Sequence, residues 1–368
     1  MKIHKKKILI IGTYYYLSAP ILDNFLANKY LKSNMDIDLL IPMRFYNEDY
    51  SRFLEMWHQS YNSINVENIN HHRFPIVREL LTKSRLNSLG KKTYDYVISF
   101  SDLLILYQLS LRIFDSKFVL IQPSHFPVKK SEKHRSFVTL MIDLLYLAIF
   151  RVPNRKMFWG KTNNTQHLML WGDEFKLFFP FSENIHIVGN LTYPNYKLIT
   201  EGNDYILLFD NAFIEPVLKL RELYLHLIED YDNYKFVIKI HPRIDQVSEI
   251  HNYFDRLDNL TIIHNEVSSN ELIKKSMLTI SRNSKTAYDS VILGKQTILV
   301  FPDQMTESKF NHPVFKSADD LSDLKLFINN SNYSLVEFYS LREDYMRKNL
   351  NYPNNSIEQF IKKIETLY

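Results

Sequence analysis

The stretch Lys235-Phe236-Val237-Ile238-Lys239-Ile240-His241-Pro242-Arg243 decides how this chain folds, together with Ser281-Arg282-Asn283-Ser284-Lys285-Thr286-Ala287-Tyr288-Asp289 further along. In both places a short run of aliphatic and aromatic residues, typical of a buried strand, stops abruptly in polar residues. Ligands of an open α/β sheet bind in the crevice outside the carboxyl ends of its strands. The two polar clusters are therefore predicted to face the same crevice.

The polar residues of these clusters carry groups that bind anions. They supply an imidazole, guanidinium groups, hydroxyls and the amino end of a predicted helix, all of which suit a nucleotide phosphate. Asp289, just inside that helix, suits the hydroxyls of a ribose. The residues predicted to bind the nucleotide are His241, Pro242, Arg243, Arg282, Ser284, Lys285, Thr286 and Asp289.

Each cluster also has a purely structural interpretation. A histidine before a proline, as at His241, closes the end of a strand when it bonds a backbone carbonyl, and Ser284 fits an ordinary helix N-cap. Arg243 and Arg282 also fit solvated surface charges. We favour nucleotide binding over the structural interpretation because the two clusters occur together, at consecutive strand ends of one predicted domain.

Length and composition exclude several classes of protein. At 368 residues the chain exceeds what one hydrophobic core usually supports, which predicts two domains. Its 45 Lys and Arg against 41 Asp and Glu are too balanced to indicate nucleic-acid binding. There is no cysteine, which excludes disulfides, thiolate zinc sites and a cysteine nucleophile and fits a reducing compartment. The dinucleotide fingerprint Gly-x-Gly-x-x-Gly is absent, which argues against an oxidoreductase.

Strand-like and helix-like segments alternate along the chain. This alternation predicts an α/β protein with mostly parallel, doubly wound sheets. Turn residues between Asn190 and Asp204 interrupt the pattern, which then starts afresh. We therefore predict an N-terminal domain over 1–195, a C-terminal nucleotide-binding domain over 196–345, and a helix over 346–368 that packs back on the first domain.

Some segments are predicted in more local detail. Arg44–Arg73 has mixed polarity and weak periodicity, so we expect loops and pieces of helix there. Ser269 is predicted to cap a helix, since its hydroxyl is able to accept a bond from a first-turn amide. In the C-terminal tail, helices are predicted over Asp319–Asn329 and Ile357–Tyr368.

The apolar segments predict a cytoplasmic protein. Ile8–Ile11 reads as a first strand and not as the core of a signal peptide, because no long apolar run or cleavage site follows. Phe137–Phe150 is interrupted by Asp143 and is too short to span a bilayer, which predicts a buried helix. The basic residues that precede it leave peripheral contact with the inner membrane open: Lys129, Lys130, Lys133 and Arg135.

Two consecutive doubly wound domains that face each other across a cleft make up the GT-B architecture. Within it, Lys239-Ile240-His241-Pro242-Arg243 and the run from Ser284 to Lys295 resemble the His-Pro and Ser-Ser motifs of bacterial surface-polysaccharide glycosyltransferases. That group includes sialyltransferases and polysialyltransferases, capsule Kdo transferases and CDP-glycerol transferases. The resemblance covers the second half of the chain, and it implies a GT-B fold and a nucleotide-activated sugar as donor.

The resemblance also implies roles for individual residues. His241 and Pro242 match the His-Pro motif, while Ser284, Ala287 and Asp289 match the serine, alanine and acidic positions of the second motif. The chain departs from that motif at the residue after Ser284, where a second serine is common.

Independently of the resemblance, the chemistry of glycosyl transfer leads us to expect that His241, Arg243 or Arg282, Ser284 and the first amides of the helix after Ser284 stabilise the leaving phosphate. We expect that His241 is also able to protonate it.

No single residue stands out as the base that would deprotonate the acceptor. The Asp/Glu-Asp/Glu-Gly motif that would supply a sialyltransferase-like base is absent. Polar residues at strand ends of the first half are the remaining choices, although each is also an ordinary turn or cap residue. These candidates are Asp102, His125, Asp173 and Glu174.

Together these features predict a metal-independent glycosyltransferase that extends a bacterial capsule, lipooligosaccharide or O-antigen. The expected partners are a nucleotide-sugar donor, with CMP-sialic acid as first choice, and a glycan acceptor; neither a metal nor another cofactor is expected. One alternative is a UDP-sugar transferase or a UDP-N-acetylhexosamine 2-epimerase-like enzyme, which as an epimerase would release product without an acceptor. The other is a non-catalytic nucleotide- or glycan-binding relative, which would leave the donor intact.

Overall fold

The computed structural model describes residues 5–12, 15–42, 57, 63–67, 93–100, 110, 113–122, 166–179, 182–193, 202, 204–210, 217–241, 244, 247–282, 284–301, 310, 312–330 and 335–367. Several predictions of the preceding section lie outside these residues, namely those for Asp102, His125, Pro242, Arg243 and the apolar stretch Phe137–Phe150. Within the described residues, no helix is long and apolar enough to cross a bilayer.

Strands and helices alternate through the described chain. The strands are β1 (Lys6–Ile11), β2 (Met35–Pro42), β3 (Ser63–Glu67), β4 (Tyr96–Ser99), β5 (Lys117–Ile121), β6 (His167–Leu170), β7 (Ile185–Ile187), β8 (Tyr205–Asp210), β9 (Phe236–Ile240), β10 (Leu260–Ile263), β11 (Ser276–Ser281), β12 (Gln296–Val300) and β13 (Phe315–Ala318). The helices are α1 (Tyr15–Ala27), α2 (Lys29–Asn34), α3 (Val217–Asp230), α4 (Val247–Tyr253), α5 (Ser269–Lys275), α6 (Lys285–Ile292), α7 (Leu321–Asn329), α8 (Leu335–Leu350) and α9 (Ser356–Thr366). A 3-10 helix covers Asp173–Phe178.

The chain forms two compact units. The first comprises Met1–Ser124, Ser131–Asn195 and Lys348–Tyr368, and the second comprises His125–Lys130 and Tyr196–Arg347. The main break along the sequence therefore follows Asn195, and the chain returns to the first unit for its last segment.

A parallel sheet forms the centre of the first unit. Its strand order is β3-β2-β1-β4-β5-β6-β7, and each neighbouring pair is parallel. The run Ile8-Leu9-Ile10-Ile11 of β1 is buried at every position, as expected for a central strand covered on both faces. The prediction of loops and helix pieces over Arg44–Arg73 was wrong for Ser63–Glu67, which pair with β2. Five residues of alternating polarity at a sheet edge give too weak a pattern to identify a strand alone.

The C-terminal helix α9 belongs to the core of the first unit. Phe360 of α9 stacks on Phe25 of α1, with ring centroids 5.1 Å apart. The Tyr96 hydroxyl of β4 lies 2.9 Å from the carbonyl of Ile364 and donates to the end of α9. Burying a phenylalanine side chain stabilises a protein by roughly 1.5–3 kcal/mol, so α9 contributes directly to the stability of the first sheet.

The second unit is built on another parallel sheet. Its strand order is β10-β9-β8-β11-β12-β13, with every pair parallel. Ile206, Leu208 and Ile280 share a core with helices α3 and α7 on one face. Thr279 and Thr297, at alternate positions, meet α6 on the other face, where the Thr279 hydroxyl lies 2.9 Å from that of Ser290. The helices thus cover both faces, as in a doubly wound sheet.

Two features of the second unit differ from the sequence-based expectation. The helix predicted to be capped by Ser269 is capped by Ser268, whose hydroxyl accepts from the Glu271 N–H at 3.2 Å. The sequence indicated helix α8 only over its last five residues, because the helix predicted over 346–368 begins inside α8; the structure interrupts that predicted helix between Leu350 and Ser356. The buried positions of α8 include Arg342 and Asn349 beside apolar ones, so apolar residues do not mark out one face of the helix.

A pair of histidines links two neighbouring strands of the first sheet. His167 of β6 and His186 of β7 stack, with Nδ1 of His167 3.1 Å from Nε2 of His186. Burial lowers the pKa of His167, and the charges of Lys117 and Lys363 lower it further. Burial, followed by Lys363 and His167, lowers the pKa of His186 to about 4. The folded protein therefore favours the neutral pair.

This pair makes the stability of the first unit depend on pH. Because the pKa of His186 falls from 6.5 to about 4 on folding, the unfolded chain binds more protons between these values. We expect the free energy of unfolding to fall as the pH drops through that window, and the variant His186→Gln to flatten the dependence. All three tryptophans, Trp57, Trp159 and Trp171, belong to the first unit, so urea unfolding followed by tryptophan fluorescence measures it.

The matched control for this experiment is His251→Gln, which removes an exposed histidine from the second unit. It should leave the pH dependence of the tryptophan signal as in the wild type. An unchanged slope in His186→Gln would show that the pair does not set the pH dependence.

Candidate functional site

The strand order of the second sheet reverses between β8 and β11. From β8 the chain passes outward through β9 to β10, then crosses back to β11 on the other side of β8 and continues outward to β13. The connections after β8 and β11 therefore leave the sheet in opposite directions and open a crevice at its carboxyl edge. His241 follows β9 and Arg282 follows β11, so both lie beside this switch point. Their backbones are two strand spacings apart, about 10 Å.

His241 is held at this edge by its own backbone. Its N–H donates to the carbonyl of Asp210 at the end of β8, at 3.3 Å, and its carbonyl accepts from the Ile244 N–H at 3.0 Å. In β9 the side chains of Phe236, Ile238 and Ile240 belong to the core shared with α3. The alternation of a strand therefore puts the next position, His241, on the face that carries α6. Its side chain is half-buried.

Arg282 lies at the end of β11, and only 7% of it is exposed. The Ser281 hydroxyl donates to the Arg282 carbonyl at 2.9 Å and fixes the backbone as the chain leaves the sheet. A guanidinium buried at the edge of a sheet is unlike the solvated surface charge that the sequence left open. The position suits a cation that binds an anionic ligand.

Ser284 caps the amino end of α6. Its backbone is extended, with φ −132° and ψ 148°, and its hydroxyl accepts from the Thr286 N–H at 3.3 Å. The Thr286 hydroxyl lies 2.8 Å from the same oxygen. The Lys285 N–H has no hydrogen-bond acceptor within the described residues. The amino end of α6 therefore retains an unused donor at the positive end of the helix dipole.

A buried hydroxyl network attaches α6 to the sheet. The Ser290 hydroxyl donates to the Thr286 carbonyl at 2.7 Å, and it lies 2.9 Å from the Thr279 hydroxyl of β11. The Thr279 hydroxyl in turn lies 3.0 Å from that of Thr297 in β12. Buried polar groups that satisfy one another specify a single arrangement. The network therefore fixes the first turn of α6 relative to two strands.

An ion pair that the sequence did not indicate lies at the switch point. Asp210, the last residue of β8, is 1% exposed, and its Oδ2 accepts from Nε of Arg221 in α3 at 3.0 Å. Burial raises the pKa of Asp210, while the nearby Arg221 charge acts in the opposite direction. The carboxylate lies in the α3 layer, away from α6, and it is paired. It therefore does little to repel an anion bound on the α6 side.

Lys239 is a second feature that sequence reasoning did not interpret. It is buried within β9, and its Nζ donates to the carbonyls of His264 and Val267, the latter at 2.8 Å. Burial lowers the pKa of Lys239. The only sign of this role in the sequence is the presence of a charged residue inside an otherwise apolar strand. Lys239 holds the loop after β10 against β9, so it shapes the same edge of the sheet.

The remaining candidates divide between the two units. Asp289 lies in α6 and is 6% exposed, so a contact to ribose stays a prediction. Asp173 and Glu174 lie in the first turn of the 3-10 helix of the first unit, where both are exposed. Asp173 pairs with Lys176 at 2.7 Å. The catalytic role predicted for Asp173 likewise stays a prediction.

The chemistry available at the edge of the second sheet is that of anion binding. His241, Arg282, Ser284 and the Lys285 amide are hydrogen-bond donors or cations, and the carboxylate of Asp210 at the end of β8 is paired with Arg221. Among the described residues, no group of three or more His, Asp or Glu is arranged to hold a metal ion. The site thus has the composition expected for a phosphate subsite.

Comparison with known proteins identifies the fold. The sequence matches no protein-family model and no curated protein. A glycosyltransferase from Rickettsia africae ESF-5 is similar in structure, with a TM-score of 0.61 at 12% identity over 99% of this chain and 100% of that chain. The UDP-GlcNAc 2-epimerase of Neisseria meningitidis, solved with bound UDP-GlcNAc, gives 0.61 at 14% identity over 97% and 100%.

A third neighbour is the UDP-GlcNAc 2-epimerase of Methanocaldococcus jannaschii, solved in complex with UDP-GlcNAc and UDP. It has a TM-score of 0.57 at 17% identity over 99% of this chain and 100% of that chain. Likeness at these identities shows the fold alone. The predicted α/β class with two doubly wound parallel sheets is confirmed, and the chain shares the GT-B fold of these glycosyltransferases and epimerases.

The capping role of Ser284 leads to a stability prediction. We expect Ser284→Ala to lower the free energy of unfolding by about 1 kcal/mol, because the Thr286 N–H loses its acceptor. Ser284→Asp should retain wild-type stability, since aspartate caps as well as serine. Thermal unfolding followed by far-UV circular dichroism measures the stability of both variants. The matched control is Ser268→Ala, which removes the cap of α5. Equal melting temperatures for Ser284→Ala and the wild type would contradict the capping role.

Proposed function

We propose that the protein is a glycosyltransferase that uses a nucleotide-activated sugar. The donor phosphate binds at the carboxyl edge of the second sheet, between His241 and the amino end of α6. The observation that carries this proposal is the convergence of a histidine, the buried Arg282 and the unused Lys285 amide beside the switch point. The shared fold of a glycosyltransferase and of epimerases solved with UDP-GlcNAc supports it.

The proposed reaction needs two things from the protein. An oxygen of the acceptor attacks the anomeric carbon, the bond from that carbon to the phosphate oxygen breaks, and its electron pair stays on the phosphate. The acceptor loses its proton to a base, and the phosphate gains negative charge that must be stabilised. Arg282 and the Lys285 amide stabilise that charge, and His241 is placed to donate a proton to the leaving phosphate. A charge-assisted bond of this kind contributes about 1.5–3 kcal/mol.

The base is sought among the candidates predicted from the sequence. Asp102, His125 and Asp173 keep the candidacy that the sequence gave them, and Asp173 is the described one. Its side chain is 73% exposed, so it is accessible to a bound acceptor. Nucleotide binding at the second sheet does not depend on which of the three acts.

The donor that we propose is based on the resemblance of the motifs. The resemblance to sialyltransferases makes a CMP-sialic acid-like donor the first choice, and the acceptor a growing bacterial surface glycan. The neighbours solved with UDP-GlcNAc make a UDP-sugar the second choice. Since the phosphate subsite consists of protein donors and cations, the proposed transfer is independent of metal.

A UDP-sugar 2-epimerase is the second candidate, favoured by the fold of the two epimerase neighbours. The two reactions differ in what they need. An epimerase converts UDP-GlcNAc to its 2-epimer without an acceptor, whereas a transferase leaves the sugar configuration at C2 unchanged and consumes donor only with an acceptor. Proton NMR of UDP-GlcNAc incubated with the protein alone separates the two.

The test of the proposed function is nucleotide binding. We expect CMP, CDP, UMP or UDP to raise the melting temperature of the wild type, because a ligand at a hundred times its Kd stabilises by about 2.7 kcal/mol. His241→Ala should lose the shift. Ser284→Asp should lose it too, because its charge repels the phosphate although the helix stays capped. A cytidine-selective shift would support a CMP- or CDP-activated donor, and a uridine-selective one a UDP-sugar.

The control is Asp320→Ala, which removes the N-cap of α7, a helix of the same unit on the face of the sheet opposite α6. It should lower the melting temperature and still show the nucleotide shift. No shift of the wild type with any nucleotide would contradict the proposed function. A full shift in both His241→Ala and Ser284→Asp would place the nucleotide elsewhere.

A further inference from the structure

Helix α8 contributes a buried arginine to the second unit. Arg342 is 6% exposed, and its Nε donates to the carbonyl of Val291 at 2.8 Å. Its Nη2 donates to the carbonyl of Ile292 at 2.5 Å. Both carbonyls belong to the last turn of α6, so one guanidinium binds the carboxyl end of the helix whose amino end carries Ser284.

The way α6 ends explains why an arginine fits there. The Gly294 backbone has φ 89°, a conformation that favours glycine, and its N–H donates to the Val291 carbonyl at 3.1 Å. The Lys295 N–H donates to the Ser290 carbonyl at 2.8 Å. These bonds turn the chain sharply back toward β12 but provide no donor for Ile292. Arg342 supplies that donor and a positive charge at the negative end of the helix dipole.

Because α6 is short, its position depends on the hydrogen bonds that hold it. It has eight residues, which corresponds to a length of about 12 Å, and a helix of that size is not stable in isolation. Its place is therefore set by what holds it. Ser290, in the carboxyl half, connects the Thr279 hydroxyl of the sheet to the Thr286 carbonyl in the first turn. Arg342 of α8 binds the carboxyl end. Because hydrogen-bonded turns move together, a displacement at one end of the helix is transmitted to the other.

We propose that Arg342 is a positioning residue for the phosphate subsite. It does not touch the ligand; it fixes α6 so that the Lys285 amide points at the donor phosphate. The inference rests on the proposed function, since it assumes that a nucleotide phosphate binds at the amino end of α6. The inference adds Arg342 to the proposed site, a residue in the part of α8 that the sequence did not predict.

A merely structural role would have different consequences. If Arg342 only stabilises the fold, its loss should lower the melting temperature and leave the affinity of the folded protein for nucleotide unchanged. If it positions α6, affinity should fall even where the protein is fully folded, and only for the phosphate part of the ligand. Lysine has a single ammonium in place of the planar fork, so Arg342→Lys keeps the charge but should lose one of the two bonds.

The experiment compares Arg342→Met, Arg342→Lys and the wild type at a temperature well below all their melting transitions. Isothermal titration gives the Kd of the CMP or UDP that shifts the wild type most, and ligand-observed NMR gives the Kd of the corresponding nucleoside. We expect Arg342→Met to weaken nucleotide binding about tenfold, the scale of losing one hydrogen bond to the phosphate, with nucleoside binding unchanged. Arg342→Lys should lie in between.

The matched control is Ile328→Val, which removes one buried methyl group from α7 on the opposite face of the sheet. It should lower the melting temperature with wild-type nucleotide affinity. Should Arg342→Met fail to fold, Arg342→Lys alone carries the comparison. Unchanged nucleotide affinity, or equal weakening of nucleotide and nucleoside, would overturn the inference and leave the proposed function standing. Absence of nucleotide binding in the wild type would overturn both.

Discussion

The pairing of β11 with β8 is the constraint on which the second unit depends. Because the chain returns from β10 to the other side of β8, the connections on either side of this pair diverge at the carboxyl edge of the sheet. Every feature of the candidate site is placed by that reversal. His241 is bonded to the end of β8, Arg282 follows β11, and α6 begins three residues later at Lys285. Had β11 been added beside β10, these groups would be distributed along a row of parallel loops instead of around one crevice.

Charge placement then decides what the crevice is able to bind. Burying a cation or a carboxylate is costly unless it has a partner, and the buried carboxylate and the buried ammonium of this unit have different kinds of partner. The carboxylate of Asp210 is paired with Arg221 within the α3 layer, and the buried ammonium of Lys239 is bonded by loop carbonyls. His241, Arg282 and the Lys285 amide lie at the carboxyl edge of the sheet. The ligand that we propose there is an anion, and the hydroxyl network between α6 and the sheet holds the Lys285 amide in place.

The sequence predicted β9 and β11 and the polar residues after them, because those strands are apolar runs with sharp polar ends, but it did not indicate β13. It also located Ser284 as a helix cap, since the serine precedes a clear helical segment. It could not reveal Arg342, because arginine and asparagine occupy two positions of the buried face of α8 and interrupt the helical repeat of apolar residues there. Nor could it pair Asp210 with Arg221, which requires the register of α3 on β8. The local sequence pattern predicts helices and strands, whereas the contacts between them depend on how they pack.

The central claim is that a nucleotide phosphate binds at the amino end of α6, and the most direct measurement is a crystal structure of the protein with CMP or UDP. The account predicts a phosphate oxygen within hydrogen-bond distance, about 2.7–3.2 Å, of the Lys285 amide and near the His241 ring. A nucleotide bound with its phosphate away from this edge would contradict the account, whatever its affinity.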